Sequence, residues 1–131
     1  MIDSELTSFG TRYAEAWSGK DPEVLASFYD QRGCLVVNDG DPSVGREAIA
    51  ATARSFMEAF PDMVVTMDSI EQEGDGVIFR WTWTGTNTGP GGTGRPVRIS
   101  GYETWAFGPT GLIAVSRGHY DEAEYERQVC R

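Results

Sequence analysis

Residues 97 to 121, VRISGYETWAFGPTGLIAVSRGHYD, bring Glu103, Arg117, His119 and Asp121 into one segment patterned as a β-hairpin. Two carboxylates, an imidazole and a guanidinium are groups that move protons or hold an anionic or carbonyl oxygen. Strand side chains alternate, so Val97, Ile99, Gly101, Glu103, Trp105 and Phe107 share one face of the first strand. Gly108-Pro109-Thr110-Gly111 reads as a three-residue loop, with Pro109 in a type I turn and Gly111 in the left-handed position. Gly108 then pairs with Leu112. Counting outward predicts Phe107 opposite Ile113, Trp105 opposite Val115, Glu103 opposite Arg117, Gly101 opposite His119 and Ile99 opposite Asp121. All four chemical groups then lie on one apolar face. A slip of one residue in this register flips the second strand's side chains to the other face.

Each group has a structural reading beside its chemical one. Glu103 and Arg117 form a cross-strand ion pair, or Arg117 leaves Glu103 to hold a ligand's carboxylate. Asp121, followed by Glu122, Ala123 and Glu124, has the pattern of a helix N-cap, and the same residue beside His119 has the chemistry of a proton carrier. His119 is the sole histidine, so a dedicated transition-metal site is not expected. Asp39 precedes Gly40, a common turn pair, and is also a carboxylate at the end of a strand.

The elements that must position these groups follow from periodicity. Leu6, Phe9, Tyr13, Ala16 and Trp17 recur at helical spacing over residues 4 to 17. Asp21-Pro22-Glu23 starts a second, short helix with Val24, Leu25, Phe28 and Tyr29 on one stripe. A strand over 34 to 39 precedes the turn Asp39-Gly40-Asp41-Pro42. A third helix over 45 to 60 carries Ile49, Ala53, Phe56, Met57 and Phe60 on its face, and Pro61 ends it. Strands are predicted at about 62 to 73 and 77 to 88, then the hairpin, with a last helical turn or two over 122 to 129. On the strand from 77, Val77, Phe79, Trp81 and Trp83 share a face. The loop GTNTGPGGTG, residues 85 to 94, lacks the lysine and following helix of a P-loop and reads as a mobile loop over a pocket mouth. The order predicts one α+β domain over residues 1 to 131, with helices packed on one face of a curved antiparallel sheet.

A chain of 131 residues buries roughly two-thirds of its unfolded surface, so it needs no disulfide or metal staple. A net charge of −9 argues against nucleic-acid or anionic-membrane partners, whose footprint is a basic patch, and favours a small neutral or cationic ligand. Cys34 and Cys130 form neither a disulfide framework nor a metal-ligand spacing. The opening MIDSELTSFG has no signal-peptide pattern and no apolar run reaches membrane-spanning length, so a cytoplasmic protein is expected.

Nearly the whole chain resembles the cystatin-like α+β cone superfamily of nuclear transport factor 2, ketosteroid isomerase and the SnoaL-like polyketide cyclases. The resemblance is carried by Arg12-Tyr13, Val37-Asn38-Asp39, Gly45-Arg46-Glu47-Ala48-Ile49, Gly85-Thr86-Asn87-Thr88-Gly89, Thr93-Gly94-Arg95-Pro96-Val97, Gly101-Tyr102-Glu103, Gly111-Leu112-Ile113 and Tyr120-Asp121 before Arg127-Gln128. Their order and spacing point to the SnoaL-like branch. The resemblance implies a pocket between the concave sheet face and the helices, and a homodimer through the convex face. It also implies roles. Asp39 matches the isomerase proton carrier, Tyr13 a phenol that donates to the oxyanion, Glu103 a protonated carboxylic acid, and Asp121 the late acid or base of the cyclases.

Two classes of function follow. One is a cofactor-independent acid–base isomerase or aldol-type cyclase acting on a hydrophobic carbonyl or polyketide-like compound. In it Asp121 with His119 carries the proton, Tyr13 or Asp39 assists, and Trp17, Phe56, Phe60, Trp81, Trp83 and Trp105 hold the ligand. The other is a non-catalytic pocket for a small organic molecule, or a dimerisation domain. Epoxide hydrolysis by Glu103, Arg117 and Asp121 around a water is a third reading.

Overall fold

The computed structural model describes residues 3–130. The first helix, α1 (Asp3–Ser18), buries Leu6, Phe9, Tyr13 and Ala16, the stripe that its sequence spacing predicts. Asp21 caps α2 (Pro22–Ala26) by accepting from the backbone of Glu23 (3.0 Å) and Val24 (3.3 Å), with Pro22 in the first turn. This helix stops short of the predicted stripe. Tyr29 instead opens strand β1 (Tyr29–Val37), five residues before the predicted strand start. A two-residue strand, β2 (Ser43–Val44), leads into α3 (Arg46–Ala59), whose inward face is Ile49, Ala50, Ala53 and Met57. Strands β3 (Val64–Glu73), β4 (Gly76–Thr86), β5 (Pro96–Phe107) and β6 (Ile113–His119) follow, and α4 (Glu122–Val129) ends the described chain.

The strands form one six-stranded curved sheet in the order β2-β1-β6-β5-β4-β3. Neighbours are antiparallel except β1 and β6, which run parallel, so the sheet is mixed rather than wholly antiparallel. Its inner face supplies Leu35, Val77, Phe79, Trp81, Trp83, Val97, Ile99, Trp105 and Ile113 to a core closed by α1 and α3. The glycine-rich connection, expected as a loop over the mouth, is pinned to the end of α3. Buried Asn87 accepts from Thr93 N (2.7 Å) and donates to Ala59 O (3.3 Å), and Gly89 N donates to the same carbonyl (3.2 Å).

The β5–β6 hairpin departs from its predicted register, with large consequences. The loop itself forms as expected: Gly111 has φ 81°, Gly108 N donates to Leu112 O (2.8 Å), and Phe107 faces Ile113. One step further the strands slip, because Ala106 pairs with Val115 and leaves Ala114 as an extra residue. A bulge of one residue reverses the parity of everything beyond it. Trp105 therefore faces Ser116 and Glu103 faces Gly118, while Arg117 lies opposite Thr104 and His119 opposite Tyr102. The predicted Glu103–Arg117 pair does not form.

Candidate active site

Glu103 is 7% exposed and lies on the concave face among aromatic rings. Its Oε1 accepts three hydrogen bonds, from Tyr13 Oη (2.9 Å), Trp105 Nε1 (2.8 Å) and Ser116 Oγ (2.8 Å). Each donor is placed by a different element. Tyr13 comes from the inward stripe of α1, Trp105 from two residues along the same face of β5, and Ser116 from β6, turned inward by the bulge. Tyr29, at the start of β1, lies 2.8 Å from the Tyr13 hydroxyl, so with Tyr13 donating to Glu103, Tyr29 donates to Tyr13. Among the described residues no hydrogen bond reaches Oε2 and no cation pairs with the carboxylate.

Burial raises the Glu103 pKa above the ordinary glutamate value, and the three donors offset only part of that. Burial likewise pushes the Tyr13 and Tyr29 hydroxyls upward, reinforced by the Glu103 charge, so both stay protonated donors. Rings fix the carboxyl in place. Trp105 stacks on Phe79 (4.9 Å between centroids, 16° between planes) and meets Tyr13 edge-on at 4.9 Å.

On its open side Glu103 borders a cavity of about 70 Å³, otherwise lined by Trp17, Phe56, Met63, Val65, Trp81, Trp83 and Tyr120. Phe56 and Trp83 meet edge-on at 5.9 Å and Trp17 and Phe56 at 6.2 Å. Tyr120 is held by its backbone N–H, which donates to Asn38 Oδ1 (2.9 Å) from a left-handed turn position, φ 52°, after β1. Larger surface clefts exist, such as one of about 560 Å³ between α1, Ser27-Phe28 and Gly111-Leu112, but none is lined by a buried titratable group.

Of the residues predicted from sequence, Tyr13 and Glu103 touch one another, and Trp17, Phe56, Trp81 and Trp83 line the cavity beside Glu103. Phe60 and Trp105 stand behind that wall: Phe60 packs on Trp83 at 4.8 Å, and Trp105 holds the carboxyl. The other four lie apart. Asp39 is exposed in the turn after β1. Arg117 is exposed on the convex face, where His119 stacks on Tyr102 at 4.9 Å. Asp121 is exposed and caps α4, accepting from Glu124 N at 3.1 Å. The Glu103, Arg117 and Asp121 grouping required for epoxide hydrolysis is not assembled. Ser116, Tyr29, Met63, Val65 and Tyr120 do not stand out as site residues in the sequence, and for Ser116 the sole signal is a hydroxyl directly after the apolar run Ile113-Ala114-Val115.

A SnoaL-like polyketide cyclase model matches residues 8–129. The chain belongs to this family. No functionally curated protein matches the sequence. Among solved structures, a candidate SnoaL-like polyketide cyclase from Jannaschia sp. CCS1 superposes with a TM-score of 0.84 at 18% identity, over 98% of this chain and 93% of that one. TsrD from Streptomyces laurentii gives 0.82 at 20% identity, over 98% and 96%. A hypothetical protein of ketosteroid isomerase-like fold from Catenulispora acidiphila DSM 44928, solved in complex with trimethylamine, gives 0.81 at 20% identity, over 93% and 92%. At these identities the likeness shows the fold, and the chemistry of this SnoaL-like protein has to be read from its own residues.

The cap and the cavity are separable in experiment. Asp121→Ala lowers stability by about 1 kcal/mol through loss of the N-cap. It leaves ligand affinity at the cavity unchanged; urea melts and a ligand titration on the same variant measure both.

Proposed function

We propose that this SnoaL-like protein is a cofactor-independent acid–base catalyst for a compact, apolar carbonyl compound, and that Glu103 carries the proton. The supporting observation is the state of that carboxyl. It is buried, unpaired with any described cation, anchored through Oε1, and borders an aromatic cavity with Oε2 unengaged. A carboxylate kept from water by apolar neighbours is a stronger base than one in solvent, as proton removal next to a carbonyl requires. Oε2 takes a proton from the carbon beside the carbonyl, and the C–H electron pair moves into an enolate. Returning the proton at another carbon is an isomerisation, and attack of the enolate on a second carbonyl is an aldol closure. Tyr13, Trp105 and Ser116 keep the carboxyl aimed through both half-reactions, and Tyr29 orients Tyr13.

A second reading, passive binding of a compact amine, is favoured by the aromatic walls around a single carboxylate, the composition of a cation cage. The trimethylamine complex of the Catenulispora protein fits the same reading. Deuterium exchange decides between them. In D2O the protein accelerates loss of the α-proton signals of small cyclic ketones, measured by proton NMR. The rate rises with pH through an apparent pKa above the ordinary glutamate value and then levels, because the base is the deprotonated form and burial raises its pKa. No acceleration at any pH leaves the amine-binding reading.

A further inference from the structure

We infer that the indole N–H groups of Trp81 and Trp83 form a hydrogen-bond donor site for a ligand oxygen, so that the cavity selects compounds presenting a carbonyl, enol or phenolate. Both nitrogens are buried and have no hydrogen-bond partner among the described residues. An indole N–H only donates, and buried donors in folded proteins are nearly always paired. The same chain shows the contrast, since the Trp105 N–H is satisfied by Glu103 at 2.8 Å. Both unpaired indoles belong to residues that line the cavity. They sit two residues apart on one face of β4, and β4 pairs with β5 so that Phe79 faces Glu103 and Trp81 faces Gly101. Trp81, Trp83 and Glu103 thus border the same small space from neighbouring strands.

This site completes the chemistry proposed for Glu103 and rests on that reading for its catalytic meaning. When Oε2 accepts the α-proton, the C–H pair becomes the new C=C bond and the carbonyl π pair moves onto oxygen. That charge needs donors fixed in a water-poor setting. Tyr13, the phenol that the resemblance assigns to this task, has its proton committed to Glu103 and does not line the cavity. Among the residues lining it, Trp81 and Trp83 carry the donors that are buried and unpaired. An alkylammonium ion would satisfy Glu103 but offers no acceptor, and would leave both N–H groups unpaired.

Wild-type protein labelled with ¹⁵N tests this directly through its four indole resonances, assigned with Trp81→Phe and Trp83→Phe. Cyclohexanone and 4-nitrophenolate are expected to move the Trp81 and Trp83 N–H signals downfield, and methylenecyclohexane to bind without doing so. Each Phe variant is expected to lower the affinity for 4-nitrophenolate relative to methylenecyclohexane by about tenfold, the worth of one hydrogen bond to a charged acceptor. Ketone binding and α-proton exchange with the indole signals unmoved overturn the indole site and leave Glu103 as base. Tetramethylammonium outcompeting every oxygen ligand overturns it too. Absence of both binding and exchange overturns the two proposals together. The wild-type shifts decide the matter even for a variant that fails to fold.

Discussion

Glu103→Gln lowers α-proton exchange on a ketone in the cavity by about 10²- to 10⁴-fold, the range a positioned general base contributes. The substitution suits the site. Glutamine keeps the volume, its Oε1 can accept from Tyr13, Trp105 and Ser116 as the carboxylate does, and only the basic Oε2 is exchanged for an NH₂ group. A structural change would instead be seen in stability, where the sign is fixed by linkage. Burial raises the folded-state pKa above the unfolded one. The favourable contribution of Glu103 is therefore complete below the unfolded pKa and is lost as pH rises through the folded pKa, where an ion is formed in apolar surroundings. Glu103→Gln removes that slope, so the variant gains stability relative to wild type as pH rises through this window. Urea melts across pH 4 to 8, on the order of the glutamate titration range, measure this beside the exchange rate. Undiminished exchange in a folded variant would sink the assignment of Glu103 as base.

The inward side of Glu103 was legible in the sequence because strand alternation from Val97 to Phe107 holds without interruption through β5. The cap of α4 was legible because an aspartate three residues before a glutamate needs only local chain geometry to form it. Arg117 and His119 were misplaced by a single residue. Ile113 and Val115 alternate as apolar positions, which argues for an unbroken strand, yet the bulge at Ala114 turns Ser116 and Gly118 inward instead. What favours that choice is invisible locally: a buried carboxylate oxygen on β5 gains Ser116 as a donor, where regular pairing would bring in an arginine of far larger volume. Tyr29 was missed for a related reason. Its apolar spacing suits the helical stripe of α2, but the parallel pairing of β1 with β6 draws it into the sheet, and that pairing joins segments more than 80 residues apart, such as Tyr29 with Ile113. The aromatic cavity wall was easier to read, since Trp81 and Trp83 come from one strand face.

Gly101→Ala is expected to close the cavity and to cost about 1–3 kcal/mol of stability, the range of an overpacked core. Gly101 lies between Ile99 and Glu103 on the concave face and opposite Trp81. A Cβ there would stand 2.6 Å from Trp81 Cζ2, 2.8 Å from Cη2 and 2.4 Å from the His119 carbonyl oxygen. The Trp81 indole therefore lies across bare backbone, and the absent side chain is what gives it room. A methyl group forces two adjustments. The ring moves toward the space it lines, which shrinks a cavity of about 70 Å³, and β5 shifts against β6, because a backbone carbonyl cannot rotate away. The two parts separate in a double-mutant cycle with Trp81→Leu, which removes the ring but not the carbonyl. Stability partly recovers in the double variant, by the ring's share, and the remaining deficit is the strand's share. Binding of cyclohexanone falls more than tenfold in Gly101→Ala, a loss of about 1.4 kcal/mol or more. An alanine variant that melts and binds as wild type does would mean that Trp81 has another rotamer to occupy, and that the cavity wall is not set by this glycine.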